Sequence, residues 1–424
     1  MKVSTLPKRP LVRASRAIGF SPSYSGESGR AGATGVANCN GISMFANGTV
    51  LATSVRARTM KKATQLATMG LLLLGLAGCK HDSDTPDPEG PLVPPTAYNL
   101  TVPTNFPAMQ TTPADNPLTN EGVALGRQLF YEKALSLNST VACASCHKQE
   151  LAFSDGLARA TGVNGTTTTR SSMSLANLAW ERKLTWDGAA TGLENQARIP
   201  IENPLEMHQS LSAGVAKLQA TDTYPALFRK AFGSSTISEA NVLKALAQFE
   251  RTLISGNSRF DRFQRGDRSA LTAYEQQGLI LFYTHPDATH RGGNCSDCHA
   301  GDLQTDNAFR NNGLDATFTD KGLGALTGLA TDNGKFRVPS LRNIALTAPY
   351  MHDGRFATLE QVMNHYNQQV VRNSPNVDPL LLEATNTRSG STLDLTTDEK
   401  AQIVAFMRTL TDSTFIKDPR FAKP

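Results

Sequence analysis

CASCH at residues 143–147 and CSDCH at residues 295–299 are the stretches that decide the fold of this 424-residue chain. Cys-x-x-Cys-His is the attachment signature of c-type haem, because its two thiols form thioethers with the porphyrin and its histidine reaches the iron. A single copy is also compatible with a zinc or dithiol site, but neither explains a trailing histidine in both copies. The pair therefore predicts two covalent haem c groups, held by Cys143, Cys146, Cys295 and Cys298, with His147 and His299 as iron ligands.

An internal repeat precedes the two motifs. GRQLFY at 126–131 and GLILFY at 278–283 each begin 17 residues before the first cysteine of their motif, which is typical of the first helix of a cytochrome c domain. Helical periodicity also covers 239–255 and 396–410, whereas strand-like alternation is scarce. The sequence therefore predicts a mostly α fold of two cytochrome c-like haem domains packed together.

The chain divides by composition and motif into six segments. We interpret them as a mis-assigned or disordered leader (1–59), a lipoprotein signal peptide (60–78), a Pro-rich tether (79–109), an N-terminal peroxidatic haem domain (110–266), a C-terminal electron-transfer haem domain (267–415) and a tail (416–424). The functional labels of the two haem domains depend on the resemblance described below.

The segment around Cys79 has the features of a bacterial export signal. Lys61-Lys62 precedes an apolar run at 69–77, which is too short to span a bilayer, and Leu76-Ala77-Gly78-Cys79 resembles a lipobox. The alternative is a short buried helix with a chance cysteine. The order of charge, apolar run and lipobox predicts lipidation of Cys79 and an exported protein, lipid-anchored on the periplasmic side or in the cell envelope.

Charge is distributed unevenly along the chain, which has a formal net charge of +5. Residues 1–78 hold ten of the 42 basic side chains and one of the 37 acidic ones, so residues 79–424 carry 32 basic against 36 acidic groups, about −4. The exported body is therefore not predicted to bind nucleic acid. With 19% charged residues and no apolar run of about 18, the chain is neither a disordered polyelectrolyte nor a polytopic membrane protein.

Five further motifs lie between about residue 116 and residue 411: FSDG (153–156), TWDG (185–188), PLEM (204–207), RVPSLRN (337–343) and APYMHDG (348–354). With both haem motifs, they make this stretch similar to the bacterial dihaem cytochrome c peroxidases, including the MauG branch of methylamine-utilisation proteins. The resemblance implies that the N-terminal haem reacts with peroxide and that the C-terminal haem relays electrons.

The same resemblance assigns roles around the first haem. Glu206 matches the family's distal glutamate, Gln196 its neighbouring amide and Pro200 the pocket wall, while Trp186 matches a tryptophan between the haems. Cleavage of peroxide requires a group that removes a proton from one oxygen and returns it to the other, which a carboxylate of suitable pKa can do. Without the resemblance, Glu206 would be interpreted as a solvated helix-end acid and Trp186 as a core residue.

Two positions depart from the common family pattern. Many members carry an iron-binding histidine where this chain has Val163, so we expect the first haem to be five-coordinate or water-bound without prior reduction. The sixth ligand of the second haem is a methionine in the peroxidase branch, but the matching position is Tyr366, as in the MauG branch. Met351, Met363 and His365 remain alternative ligands to Tyr366.

The resemblance also implies a calcium ion between the domains. Main-chain carbonyls at Thr347 and Pro349 match two of its ligands, but the usual side-chain ligand is replaced by Ser171. The expected partners are hydrogen peroxide and a small electron-donor cytochrome or cupredoxin, and a homodimer is left open.

Three functions remain in view. The leading hypothesis is an oxidoreductase of the cytochrome c peroxidase type, which reduces hydrogen peroxide to water with electrons from a small redox protein. The second is a MauG-like enzyme that uses peroxide to oxidise a protein or small molecule, which Val163 and Tyr366 favour. The third, of another class, is a dihaem electron carrier without catalysis.

Overall fold

The structure is a computed structural model that describes residues 91–287, 289–383 and 393–424. The predicted leader, the signal peptide with Cys79 and the first part of the tether lie outside the described residues. The described residues all belong to one compact unit. Within these three ranges, no helix is both long enough and apolar enough to cross a membrane.

The described chain is mostly helical, as predicted. The helices are α1 (Asn120–Tyr131), α2 (Cys143–Cys146), α3 (Leu193–Glu202), α4 (Leu211–Gln219), α5 (Tyr224–Phe232), α6 (Glu239–Arg251), α7 (Arg259–Gln264), α8 (Ala273–Tyr283), α9 (Ser296–His299), α10 (Leu323–Thr327), α11 (Leu359–Asn364), α12 (Pro379–Glu383) and α13 (Thr397–Arg408). Two antiparallel pairs of short strands accompany them, β1 (Lys183–Leu184) with β2 (Ala190–Thr191) and β3 (Phe309–Arg310) with β4 (Phe336–Arg337).

The two halves have separate hydrophobic cores built in the same way. In the first, Phe130 of α1 lies 5.3 Å from Phe249 of α6 between ring centroids. In the second, Phe282 of α8 lies 5.1 Å from Phe406 of α13. Each pair joins the repeat helix to the last long helix of its half. Phe421, near the C-terminus, is buried in the first core, so the end of the chain returns to the N-terminal half.

The glycine that begins each repeat marks the point where these helices cross. A Cβ atom on Gly126 would lie 1.9 Å from the carbonyl oxygen of Ala245 in α6. A Cβ atom on Gly278 would lie 1.8 Å from the carbonyl oxygen of Gln402 in α13. Since backbone atoms cannot yield as the end of a side chain can, only glycine allows either pair of helices to approach this closely. The repeated Gly-x-x-Leu-Phe-Tyr motif is therefore a packing motif.

Substitution of either glycine by alanine is expected to destabilise the fold. The added methyl group must push the paired helices apart, and overpacking of this kind costs about 1–3 kcal/mol. The melting temperature of the haem-loaded Gly126→Ala and Gly278→Ala variants should fall. The control is Gly214→Ala in α4, where the nearest atom is the flexible Leu135 Cδ2 at 3.1 Å. Equal effects at all three positions would contradict this explanation of the repeat.

Helix α6 ends earlier than the periodicity of 239–255 predicts. The helix stops at Arg251, because the following residues pair with another segment. The backbone amide of Asn177 donates to the carbonyl of Leu253, and the Asn177 side chain bonds both the amide and the carbonyl of Ser255. A single buried asparagine thus provides the hydrogen-bond partners that a further helical turn would otherwise supply to these backbone groups.

Candidate functional site

Both Cys-x-x-Cys-His motifs lie on short helices that line cavities. Cys143 and Cys146 lie on α2 and face the first cavity, whereas Cys295 and Cys298 face the second. All four thiols are free. Burial raises the pKa to about 12 for Cys143 and Cys295, and to about 11 for Cys146 and Cys298. The thiols are therefore protonated, the form that adds as S–H across a vinyl group.

The motif histidines are oriented for metal binding. His147 Nδ1 lies 2.8 Å from the carbonyl oxygen of Phe153, and His299 Nδ1 lies 3.2 Å from that of Gln304. A carbonyl only accepts, so Nδ1 carries the proton and Nε2 keeps its lone pair for the iron. Burial lowers the pKa of both rings, to about 4 for His299, which keeps them neutral. The donor sets of both cavities therefore fit haem c.

Glu206 lies in the wall of the first cavity, together with His147. Its Oε1 accepts a 2.7 Å hydrogen bond from Asn203 Nδ2, while Asn203 Oδ1 accepts from the amide of Leu205. Burial raises the pKa of Glu206, and the bond from Asn203 opposes this rise. The carboxyl group therefore holds its proton at a higher pH than an exposed glutamate, as a proton-transfer group near neutral pH should.

Helix α3 supplies the other two residues assigned to this pocket. Gln196 and Pro200 both line the first cavity, since residues four apart share one face of a helix. Pro200 has no amide hydrogen, so the Gln196 carbonyl loses its usual helical donor. The structure thus brings Gln196, Pro200 and Glu206 together beside the first haem motif.

Val163 lies in a loop that is bonded to the backbone of Glu206. The Val163 amide donates to the Glu206 carbonyl at 2.8 Å, and Thr161 pairs with Thr167 across the loop. Thr161 and Gly162 line the first cavity. Val163 itself is buried and offers no atom that binds iron. The resemblance places a histidine ligand in this loop in many family members. In this chain the loop is fixed against Glu206 and carries valine at that position.

A second carboxyl group in the first cavity was not identified from the sequence. Glu250 of α6 lines this cavity and is 5% exposed. Burial raises its pKa to about 8. A signal was available, because Glu250 follows Leu243 and Leu246 at helical spacing and so continues the apolar face of α6.

Tyr366 lines the second cavity beside Cys295 and Cys298. It lies in a π-helical turn, His365–Gln369, directly after α11; such turns are frequent at functional sites. Its hydroxyl oxygen lies 3.4 Å from Asn312 Nδ2. Burial raises the pKa of Tyr366 to about 12.

The alternative ligands are placed differently. His365 Nε2 lies 3.1 Å from the carbonyl oxygen of Asn312, and the ring is not part of the cavity wall. Met351 and Met363 do line the cavity. Met351 Sδ lies 3.4 Å from the same Asn312 Nδ2 that contacts Tyr366. Geometry thus disfavours His365, and Met351 is the nearest competitor of Tyr366.

Trp186 lies at the second cavity and is held rigidly. Its Nε1 donates to the carbonyl of Ser171 at 2.9 Å, and its own carbonyl accepts from the amide of Arg337 at 2.8 Å. Residues 171–176 form a wall common to both cavities, since Leu175 lines the first and Ser174 the second. One stretch of chain therefore lines both cavities, and Trp186 is hydrogen-bonded to its first residue.

The residues expected near a calcium ion also lie at the second cavity. Ser171, Thr347 and Pro349 all line it. The Ser171 hydroxyl donates to the carbonyl of Met351 at 2.9 Å. Within the described ranges, no group of three or more His, Cys, Asp or Glu side chains has metal-binding geometry, so a calcium ion here would depend on carbonyl oxygens.

Comparison with known proteins gives a consistent result. The family model for di-haem cytochrome c peroxidase matches residues 120–269. The chain is 40% identical over 301 residues to the methylamine utilization protein MauG of Methylorubrum extorquens, covering 70% of this chain and 80% of that protein. It is 32% identical over 314 residues to cytochrome c551 peroxidase of Nitrosomonas europaea, covering 72% and 84% respectively.

A solved structure extends the likeness to the fold. The crystal structure of a MauG-like protein associated with microbial copper homeostasis superposes with a TM-score of 0.70 at 37% identity. The match covers 77% of this chain and 99% of that chain. The likeness therefore includes both haem motifs and the residues that surround them.

Proposed function

Since the chain belongs to the di-haem cytochrome c peroxidase family, which includes MauG, we propose that it reduces hydrogen peroxide to water with electrons from a small cytochrome or cupredoxin. Membership makes it a haem-containing oxidoreductase of the peroxidase type. The proposal concerns the identity of the electron donor and the fate of the oxidising equivalents that peroxide supplies.

The observation that carries the proposal is the composition of the first cavity. One cavity holds two thiols spaced for haem attachment, a histidine kept neutral by burial, with Nδ1 facing a carbonyl, and Glu206 with a raised pKa. Haem c, when bound there, supplies an iron that accepts peroxide and exchanges electrons. Glu206 then moves a proton between the two peroxide oxygens, Asn203 holds the Glu206 carboxyl group, and Gln196 orients the peroxide.

The proposal predicts turnover by the oxidised protein as isolated. Because Val163 cannot occupy the iron, peroxide should react without prior reduction. The ferric haem-loaded protein should show one high-spin haem signal, and oxidation of a reduced cytochrome by peroxide should begin without a lag. A purely low-spin resting spectrum would contradict this role of Val163. No peroxide turnover with any reduced donor would indicate the third function, an electron carrier.

The MauG-like function is retained as a second candidate because of the second cavity. Tyr366 lines that cavity where the peroxidase branch carries methionine. A phenolate ligand favours oxidised iron, whereas a thioether raises the potential. A second haem with Tyr366 as ligand would store oxidising equivalents rather than relay electrons from a donor. A spectral species that persists after one equivalent of peroxide, without added donor, would support this candidate.

Electron transfer between the haems is assigned to the region around Trp186. We propose that residues 110–266 form the peroxidatic domain and 267–415 the electron-transfer domain. The hydrogen bond from Trp186 Nε1 to Ser171, the first residue of the common wall, supports transfer across this wall. The charge of about −4 on residues 79–424 favours a donor that docks through basic residues around its own cofactor.

Three further assignments belong to the proposal. Calcium bound by the carbonyls of Thr347 and Pro349 would be detected by metal analysis before and after chelation. Export and attachment through lipidated Cys79 would be detected by acyl labelling, with Cys79→Ser as the control. A homodimer would be detected from the mass of the haem-loaded protein in solution.

A further inference from the structure

Glu250 is a buried acid whose chemistry the proposed mechanism does not use. Its side chain lines the first cavity, and its Oε2 has no hydrogen-bond partner among the described residues. A buried polar atom of this kind calls for a specific explanation, because a buried group without a hydrogen-bond partner destabilises the folded state. Glu250 and Glu206 both raise the pKa of Cys143 by their negative charge. The two carboxyl groups therefore share one electrostatic environment.

A polar connection leads from the neighbourhood of Glu250 to solvent. Arg251, the next residue, is 7% exposed, and its Nη1 also has no partner among the described residues. Its Nη2 lies 2.6 Å from Glu194 Oε1 on α3, which also accepts a 2.7 Å bond from Asn116. The Glu194 side chain is 21% exposed. The charges of Arg251 and Glu194 both act on Glu250, so this partly exposed ion pair lies close enough to Glu250 to influence its proton.

The proton balance of the proposed reaction requires a group that supplies protons to the first cavity. Reduction of one hydrogen peroxide to two waters consumes two electrons and two protons. Glu206 transfers a proton from one peroxide oxygen to the other and so adds none. Both additional protons must reach a cavity that haem would close. The inference below rests on the proposed reduction of peroxide, because only that reaction creates this demand.

We propose that Glu250 is the proton-delivering residue of the first cavity, replenished from solvent on the side of Glu194. In this step the O–H bond of the Glu250 carboxylic acid breaks and an O–H bond of a product water forms. The electrons come from the redox-protein donor. The Glu250 carboxylate regains a proton from solvent after each delivery, so that two deliveries, one with each electron, supply both protons of a turnover. Glu250 thus acts as a donor of new protons, whereas Glu206 redistributes the protons of peroxide itself.

The charge state of Glu250 is consistent with this role. Burial raises its pKa to about 8, so the acid holds its proton at neutral pH and loses it as the pH rises through that value. Arg251 lowers the pKa and Glu194 raises it. The other titratable groups around the same cavity are Cys143, Cys146, His147 and Glu206.

The first test compares turnover of haem-loaded Glu250→Gln with the wild type across pH. Glutamine preserves shape but carries no acidic proton. We expect kcat to fall about 10²-fold at neutral pH, the lower end of the range for general acid catalysis, with an unchanged KM for peroxide. The wild-type decline above about pH 8 should disappear. The control is Glu202→Gln, an exposed carboxylate on α3. A variant with the wild-type pH profile and kcat would overturn the proposal.

An equilibrium measurement keeps the test decisive if Glu250→Gln does not load haem. The midpoint potential of the first haem is measured against pH in Glu206→Gln, where Glu206 no longer titrates. Glu250 carries its proton at neutral pH, so the potential should be constant there. Above about pH 8 the oxidised protein loses this proton and reduction of the iron takes it up again, so the potential should fall as the pH rises. A potential independent of pH in this variant would overturn the proposal. This readout does not depend on turnover, so it remains informative even if the wild type reduces no peroxide.

Glu194→Gln tests the supply from solvent. In the prereduced variant the first proton-consuming step after peroxide is added should keep the wild-type rate, because Glu250 already carries its proton. Continuous turnover should slow several-fold, because the proton is returned more slowly. Equal slowing in both experiments would indicate a structural effect and contradict the assignment of Glu194, while the Glu250 measurements decide the main proposal.

Discussion

Glu206→Gln should lower the peroxide turnover of the haem-loaded protein by about 10²-fold or more. Glutamine fills the same space and can still bond to Asn203, but it cannot take a proton from one peroxide oxygen and give it to the other. Steady-state oxidation of a reduced cytochrome measures this effect. The absorption spectrum of the resting ferric protein should change little, because the substitution leaves the cysteines and His147 in place.

The pH dependence provides a separate check on the role of Glu206. Its carboxylate form must accept the first proton, so activity should be lost as the pH falls through its pKa. Burial raises that pKa, and this acid limb should lie at higher pH than for an exposed glutamate. Asn203→Ala removes the 2.7 Å bond that lowers the pKa. The limb should therefore move to still higher pH.

Two outcomes would contradict the assignment. Unchanged turnover in Glu206→Gln would exclude Glu206 as the proton-transfer group. An equal loss in Glu202→Gln, on the exposed side of α3, would indicate that any change of charge near this helix slows the reaction. A purely structural role of Asn203 would lower activity without moving the acid limb.

The sequence predicts the fold well because the deciding interactions are local or repeated. The spacing of the two Cys-x-x-Cys-His motifs from their glycines predicts two similar halves, and the structure explains why, since Gly126 and Gly278 each lie at a helix crossing. The end of α6 was less predictable. It depends on Asn177, which is distant in sequence and bonds the backbone at Ser255.

The candidate site was predictable only where a motif carried it. Glu206 lies in a recognisable Pro-Leu-Glu-Met context, and the structure places it with Gln196 in the first cavity. Glu250 has no motif of its own, and a charged residue near a helix end is usually solvated. Its burial depends on the packing of α3 against α6, which the periodicity of one helix does not reveal.

Tyr366→Met should raise the midpoint potential of the second haem by on the order of 100 mV or more. A phenolate is a hard anionic ligand that stabilises ferric iron, whereas a thioether favours the ferrous state; axial ligands shift haem potentials over a span of about 0.8 V. Coordination by tyrosine also requires loss of the Tyr366 phenol proton, whose pKa burial raises to about 12. Binding to iron must therefore overcome that preference.

The expected spectra distinguish Tyr366 from a methionine or histidine ligand. The wild-type ferric protein should lack the charge-transfer band of a methionine-bound haem, and Tyr366→Met should acquire it. Met351→Leu and His365→Gln are the matched controls, since Met351 lines the same cavity and His365 adjoins Tyr366. Both should retain the wild-type potential. A methionine band in the wild type that disappears in Met351→Leu would contradict Tyr366 as ligand.

The same variant separates the two enzymatic functions. If Tyr366 keeps the second haem oxidised so that this haem stores oxidising equivalents, Tyr366→Met should shorten the lifetime of the oxidised species that one molar equivalent of peroxide produces. Its turnover with a reduced cytochrome should be maintained or increased, because a higher potential favours entry of electrons from the donor. If the second haem only relays electrons in the wild type, no long-lived species should form before or after the substitution. A Tyr366→Met protein in which the species lives as long as in the wild type would exclude Tyr366 as the cause of storage.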